Sequence, residues 1–191
     1  MRISALNFCL IAGCLSAATT VASAQEVVHA LEGTAKNVNQ KAGIIYVSND
    51  DGSASIFKDS TDTKAPASLA KTISTPATPA DKFDGKGDQV ILFYTGFDTI
   101  RNAVAVCDLG SAALQKITGK VVSYEKEHHL LTILNSAGAT ESFHIDLKTV
   151  AETIKGVVGG AKYDPGKGDE VHVVASGADG DKTAVFIAPA S

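Results

Sequence analysis

Short apolar runs separated by clusters of Asn, Asp and Gly make up most of the chain, and no long helical stripe dominates it. Residues 44–48, 89–94, 103–107, 130–134 and 170–175 are such runs, rich in Val, Ile and Leu. Their length and β-branched content predict strands. Asn49-Asp50-Asp51-Gly52 and Asn135-Ser136-Ala137-Gly138 read as tight turns, with Gly supplying the positive φ that other residues resist. Gly96 and the stretch Ala178-Asp179-Gly180-Asp181 mark two further hairpin turns.

The same series of elements occurs twice. With Gly33 placed over Gly119, Ile45 falls on Leu131, Val47 on Ile133, Gly52 on Gly138 and Phe57 on Phe143. After a shorter connection in the second copy, Gly85-Lys86-Gly87-Asp88 falls on Gly166-Lys167-Gly168-Asp169, Val90 on Val171, and Ala103-Val104 on Ala184-Val185. Self-similarity of this kind points to an internal duplication. Each copy reads as three strands, a non-strand connection and two strands. In the second copy Leu147, Val150, Ala151, Ile154 and Val158 fall at helical spacing, with Thr149 and Glu152 placed as a capping box and Gly159-Gly160 as a stop. In the first copy residues 67–73 predict a short helix that Pro76 and Pro79 prevent from extending.

Composition adds an address. Arg2 precedes an apolar stretch and a small-residue region ending Ala22-Ser23-Ala24, the three parts of a secretory signal peptide over residues 1–24. Cleavage before Gln25 is expected, which leaves a periplasmic or secreted protein with no membrane span. A competing reading takes Ile11-Ala12-Gly13-Cys14 as a lipobox, with Cys14 acylated and the protein membrane-anchored. With Cys9 and Cys14 in the leader, Cys107 stands alone and the fold is expected to do without a disulfide. Cys107 ends an apolar run and reads as a buried small hydrophobe. The balance of 17 basic against 21 acidic side chains gives a net charge of −4, which disfavours binding driven by nucleic-acid phosphates.

Gly33-Thr34-Ala35 and Gly119-Lys120-Val121 in the first strands, with the turns Gly87-Asp88-Gln89-Val90 and Gly168-Asp169-Glu170-Val171, carry a resemblance. Together with the strand order, they make the chain similar to OB-like small β-barrel modules of secreted bacterial proteins. The resemblance implies a mainly β protein: a signal-peptide helix, then two tandem five-stranded barrels over residues 25–109 and 110–191, each with a short helix or irregular connection. It implies a binding or scaffold role and brings no catalytic residues.

Candidate chemistry changes this picture little. His128, His129, His144 and His172 lie in the second copy, and a metal site using His128 or His129 with His144 and His172 is the alternative reading. The first copy has Ala42, Gly43, Lys58 and Ile91 at the matching positions, and alternation with Phe143, Val171 and Val173 points His144 and His172 outward. The acidic turns at 49–52 and 179–181 lack the downstream bidentate Glu of a calcium loop. The Gly-Lys-Gly-Asp pair leads into strands rather than helices, so it reads as turn chemistry with Asp88 and Asp169 bonding nearby N–H groups, and not as a phosphate loop. There is no G-x-S-x-G or H-E-x-x-H, and isolated acids such as Asp84 and Asp164 form no motif. Phe93 and Phe97, which have no aromatic counterparts in copy two, are expected to pack one barrel against the other, the alternative being an exposed stacking patch. The expectation is therefore a non-catalytic binding or structural module of the bacterial cell envelope, with no catalytic, cofactor or metal residue assigned and an envelope component or small ligand as partner.

Overall fold

The computed structural model describes residues 26–59, 65–96, 101–178 and 180–190, so the leader with Cys14, and Phe97, lie outside the described residues. Strands β1 (His29–Asn39), β2 (Ile44–Ser48) and β3 (Ala54–Asp59) come first, followed by helix α1 (Ala65–Thr72), the short β4 (Thr78–Pro79), β5 (Gln89–Thr95) and β6 (Asn102–Gly110). The second series is β7 (Gln115–Glu125), β8 (Leu130–Asn135), β9 (Thr140–Thr153), β10 (Gly156–Gly159), β11 (Glu170–Ser176) and β12 (Thr183–Pro189).

Each series forms one six-stranded sheet that closes on itself. The first runs β3-β2-β1-β5-β6 and closes through a parallel β3–β6 pairing, with β4 hanging on the edge of β6. The second runs β9-β12-β11-β7-β8 and closes through β8–β9, with β10 added to β9. Numbered within each repeat, both rings have the order 1-2-3-5-4-1 with strands three and five parallel. That is the OB arrangement, and the mainly β, doubly barrelled reading holds.

The duplication is visible at single residues. Gly33 pairs with Val90 as Gly119 pairs with Val171, and a register shift follows after Ala35 in one barrel and Val121 in the other. Gly87 and Gly168 share φ values of +93° and +92°, and their N–H groups donate to the carbonyls of Ala35 and Val121 at 2.8 Å each. The Gly-Lys-Gly-Asp segments are thus turns that tie the entry of strand four to strand one. Asp169 accepts the Gly166 N–H at 2.7 Å, as the turn reading expects.

Each barrel has its own core. Ile45, Val47, Phe57, Val90 and Leu92 fill the first, and Leu131, Ile133, Phe143, Val171 and Val173 the second. A third cluster joins them: Ile91, Phe93 and Cys107 of the first repeat meet Val150, Val174 and Phe186 of the second, with Leu69 and Ile73 packed alongside. The odd-phase residues of β5 thus face the other barrel, and Phe93 is fully buried there, as expected for inter-barrel packing.

One expectation is overturned. The segment with helical spacing in copy two is not a helix: β9 runs on to Thr153, and a turn at Ile154-Lys155 leads back through β10. The would-be helical stripe is split, with Val150 and Ala151 fully buried while Leu147 and Ile154 are 67% and 92% exposed. Local bonds select the strand. Asp146 Oδ1 accepts the N–H groups of Lys148 and Thr149, which bends the chain, and Thr149 Oγ1 donates to the Ala184 carbonyl at 2.7 Å. Val150 and Ala151 then pair with Phe186 and Ile187 of β12. Glu152 caps nothing; it reaches across to β1. In the first repeat α1 forms where a short helix is expected, and Pro79 sits in edge strand β4, where a missing N–H is tolerated.

Candidate functional site

Among the described residues, four ion pairs cross from one barrel to the other. His29 Nδ1 meets Glu152 Oε1 at 2.6 Å, and Glu152 Oε2 accepts the Ala30 N–H at 2.8 Å. Lys116 lies between Glu32 Oε1, at 2.9 Å, and Asp50 Oδ1, while His172 Nε2 stands 3.5 Å from Asp50 Oδ2.

The duplication explains how these groups meet. Glu32 on β1 is cross-strand to Ile91, and Thr118 on β7 is cross-strand to His172, so the two pairs occupy equivalent outward positions. Outward residues Ala30 of β1 and Ile91 and Phe93 of β5 pack against Val150 of β9, Val174 of β11 and Phe186 of β12, so these positions outside each barrel are buried in the molecule. At the matched positions copy one has Ala30, Glu32 and Ile91, and copy two Lys116, Thr118 and His172. Asp50 arrives at the tip of the β2–β3 hairpin. Its turn is held by the Asn49 N–H on the Ser53 carbonyl and the Ser53 N–H on Asp51 Oδ1, with Gly52 at φ +81°.

Burial sets the charge states. The Glu32 side chain is 3% exposed, and desolvation raises its pKa against the lowering pull of Lys116. Burial works to lower the Lys116 pKa, but its bonds to Asp50 and Glu32 outweigh that, and the net shift is upward. His172 moves down: desolvation and the Lys116 charge together exceed the attraction of Asp50. Its Nδ1 lies 3.2 Å from Thr118 Oγ1, which fixes the ring. Buried pairs of this kind contribute little net stability when intact, yet removing one partner strands a charge.

Beside the cluster a groove of about 440 Å³ runs between the barrels. Its lining combines the acids Glu32, Asp50 and Asp51 with Tyr94, Arg101 and the apolar Phe186 and Pro189. The Arg101 guanidinium lies over the rings of Phe57 and Tyr94, 5.8 and 5.6 Å from their centroids, and donates through Nη1 to Ser55 Oγ at 3.3 Å. Arg101 itself lines the groove.

The predicted histidine grouping does not form. Among the described residues, the one set of three or more His, Cys, Asp and Glu side chains close enough to ring an ion is Glu32, Asp50 and His172. His144 is exposed and cross-strand to Leu130, and His128 is exposed beside Glu125. His172 does face outward from its barrel, as alternation requires, but its neighbours come from the other repeat. Glu32, Lys116, Thr118 and Arg101 escape sequence reasoning because each looks like an ordinary solvated side chain on a strand. Cys107 is buried between the barrels, and desolvation pushes its thiol up to about 11, as befits a packing residue.

No family model matches the chain, and no curated protein matches it. A solved structure described as drosophila Unr CSD456 is similar at 13% identity and a TM-score of 0.33, over 87% of this chain. This chain spans 63% of that one, and the fold assignment rests on the strand order rather than on this likeness. No helix among the described residues is long and apolar enough to cross a membrane.

Proposed function

We propose that the protein is an exported, non-catalytic binding module of the bacterial cell envelope that takes a small polar ligand in the groove between its barrels. The observation that carries this reading is Arg101: a guanidinium mounted on two aromatic rings and lining the groove. Planar forks of this kind suit carboxylate or phosphate oxygens. Asp50 and Asp51, which line the same groove, favour a ligand that also carries a positive or hydrogen-donating group. A volume of about 440 Å³ suits a molecule of metabolite size. The leader-like segment at 1–24 supports export, with acylated Cys14 as the anchored variant, and the acidic balance supports a partner other than nucleic acid.

Native mass spectrometry on protein recovered from its own envelope tests the reading. The expected spectrum shows a chain beginning at Gln25 with a retained small molecule that the Arg101→Ala variant loses. An uncleaved chain that carries no added mass in either form would overturn it.

A further inference from the structure

The carboxylates of Glu32 and Asp50 and the imidazole of His172 converge from three separate elements on one point, and a cation already sits there. From this geometry we infer that Glu32, Asp50 and His172 form an inter-barrel site for a borderline divalent cation such as zinc, with the Lys116 ammonium as the exchangeable occupant. One donor atom from each of the three residues lies within 4.8 Å of the others. Donors around a zinc ion at ~2.1 Å stand roughly 3.4 Å apart, so side-chain torsions suffice to close the set. His172 Nε2 and Asp50 Oδ2 are at 3.5 Å already.

Two observations point to a metal beyond the ion pairs themselves. The first is the orientation of His172. Thr118 Oγ1 holds Nδ1 at 3.2 Å, so Nε2 is the ring nitrogen turned toward Asp50, and a polar partner on the far nitrogen is the outer-shell arrangement that metal-bound imidazoles use. The second is access. Glu32 is buried, but the Lys116 side chain is 26% exposed and Asp50 45%, and all three ligands line the groove. Lys116 therefore has somewhere to go when displaced, and an ion has a way in. A donor set of one nitrogen and two carboxylates suits zinc better than calcium, which wants 6–8 oxygens.

The inference stands independently of any organic ligand in the groove. The Arg101→Ala variant probes that ligand and leaves these three residues intact. Zinc titration of the chelator-treated full chain, followed by calorimetry, tests the metal site alone. Wild type is expected to bind one zinc ion, His172→Ala to lose at least about tenfold in affinity, and Lys116→Met to gain about tenfold because the competing charge is gone. His144→Ala, on an exposed histidine, is expected to match wild type. A second readout covers the case in which Lys116→Met does not fold: zinc should increase acetylation of Lys116 by an amine reagent, read by mass spectrometry. Equal zinc affinity in wild type and His172→Ala, or a Lys116 whose acetylation is unmoved by saturating zinc, would overturn the assignment.

Discussion

A methyl group added at Gly33 would stand 2.6 Å from the Ser48 carbonyl oxygen, and one at Gly119 2.5 Å from that of Leu134. Neighbouring backbone cannot yield as a side chain can, so Gly119→Ala is expected to cost about 2 kcal/mol or more by urea denaturation. Gly138, with open space around its Cβ position but a φ of +81°, should cost less when replaced by Asn, which tolerates that backbone. Lys116 carries a different kind of constraint. Its removal leaves Glu32 buried without its counter-charge, so Lys116→Met is expected to destabilise by about 3 kcal/mol, and the double change Lys116→Met with Glu32→Gln to recover part of that loss. A double-mutant cycle that shows no coupling would contradict this. Cys107 gives a pH dependence with a definite sign. Its folded pKa is raised to about 11, so above the ordinary value of 9.0 the unfolded thiol ionises while the native one keeps its proton. The contribution of the buried neutral thiol is fully present below 9.0, and as pH rises from there through about 11 stability falls. Iodoacetamide at mildly alkaline pH is expected to label Cys107 only after unfolding.

At the scale of elements, β9 and β10 show tertiary context overriding a local pattern. Leu147, Val150, Ala151, Ile154 and Val158 have helical spacing, but Thr149, Val150, Thr153 and Val157 are β-branched, and the Asp146 side chain bends the chain into β12. Thr149 is fully buried and anchors that path by accepting the Asp146 N–H and donating to the Ala184 carbonyl. Thr149→Val keeps the shape and deletes both bonds, so a loss of about 1–3 kcal/mol is expected in thermal or urea unfolding. The hairpin that results performs the packing a helix would have done. Val157 donates its N–H to the Val28 carbonyl at 2.8 Å, and Gly159 approaches the Thr72 carbonyl at the end of α1. The first repeat's helix and the second repeat's hairpin therefore fill one shared space, which explains why the copies differ here and nowhere else so strongly.

For the molecule as a whole, the shared cluster around Phe93 decides how the barrels behave. Phe93, Ile91, Val174 and Phe186 bury the outward faces of both repeats against each other, and each such side chain contributes about 1.5–3 kcal/mol by leaving water. Neither barrel keeps that benefit alone. Calorimetry is expected to show one cooperative transition, and Phe93→Ala to lower it as a unit by about 3–5 kcal/mol. Two separable transitions in the wild type would show that the barrels unfold independently. The docked pair also forms the groove, since its lining comes from both repeats, and it brings Glu32 and His172 within range of Asp50 at the β2–β3 hairpin tip.

The strand series, the turns and the duplication are local properties, and residues such as Gly33, Gly119, Gly87 and Gly168 carry them in the sequence itself. Two-residue alternation likewise determines that Val171 and Val173 face into a barrel and His172 away from it. What alternation cannot say is whether the outside of a barrel meets water or another barrel. Glu32, Lys116 and His172 all occupy outward positions, and only the docking of one sheet against the other turns them from solvated side chains into a buried cluster. The strand, not the helix, forms over 147–153 because Thr149 bonds the Ala184 carbonyl and Val150 and Ala151 pair with β12, partners far away in sequence. The fold of each repeat is thus set by short-range pattern, whereas the site exists only because two copies, diverged at equivalent positions, were brought face to face.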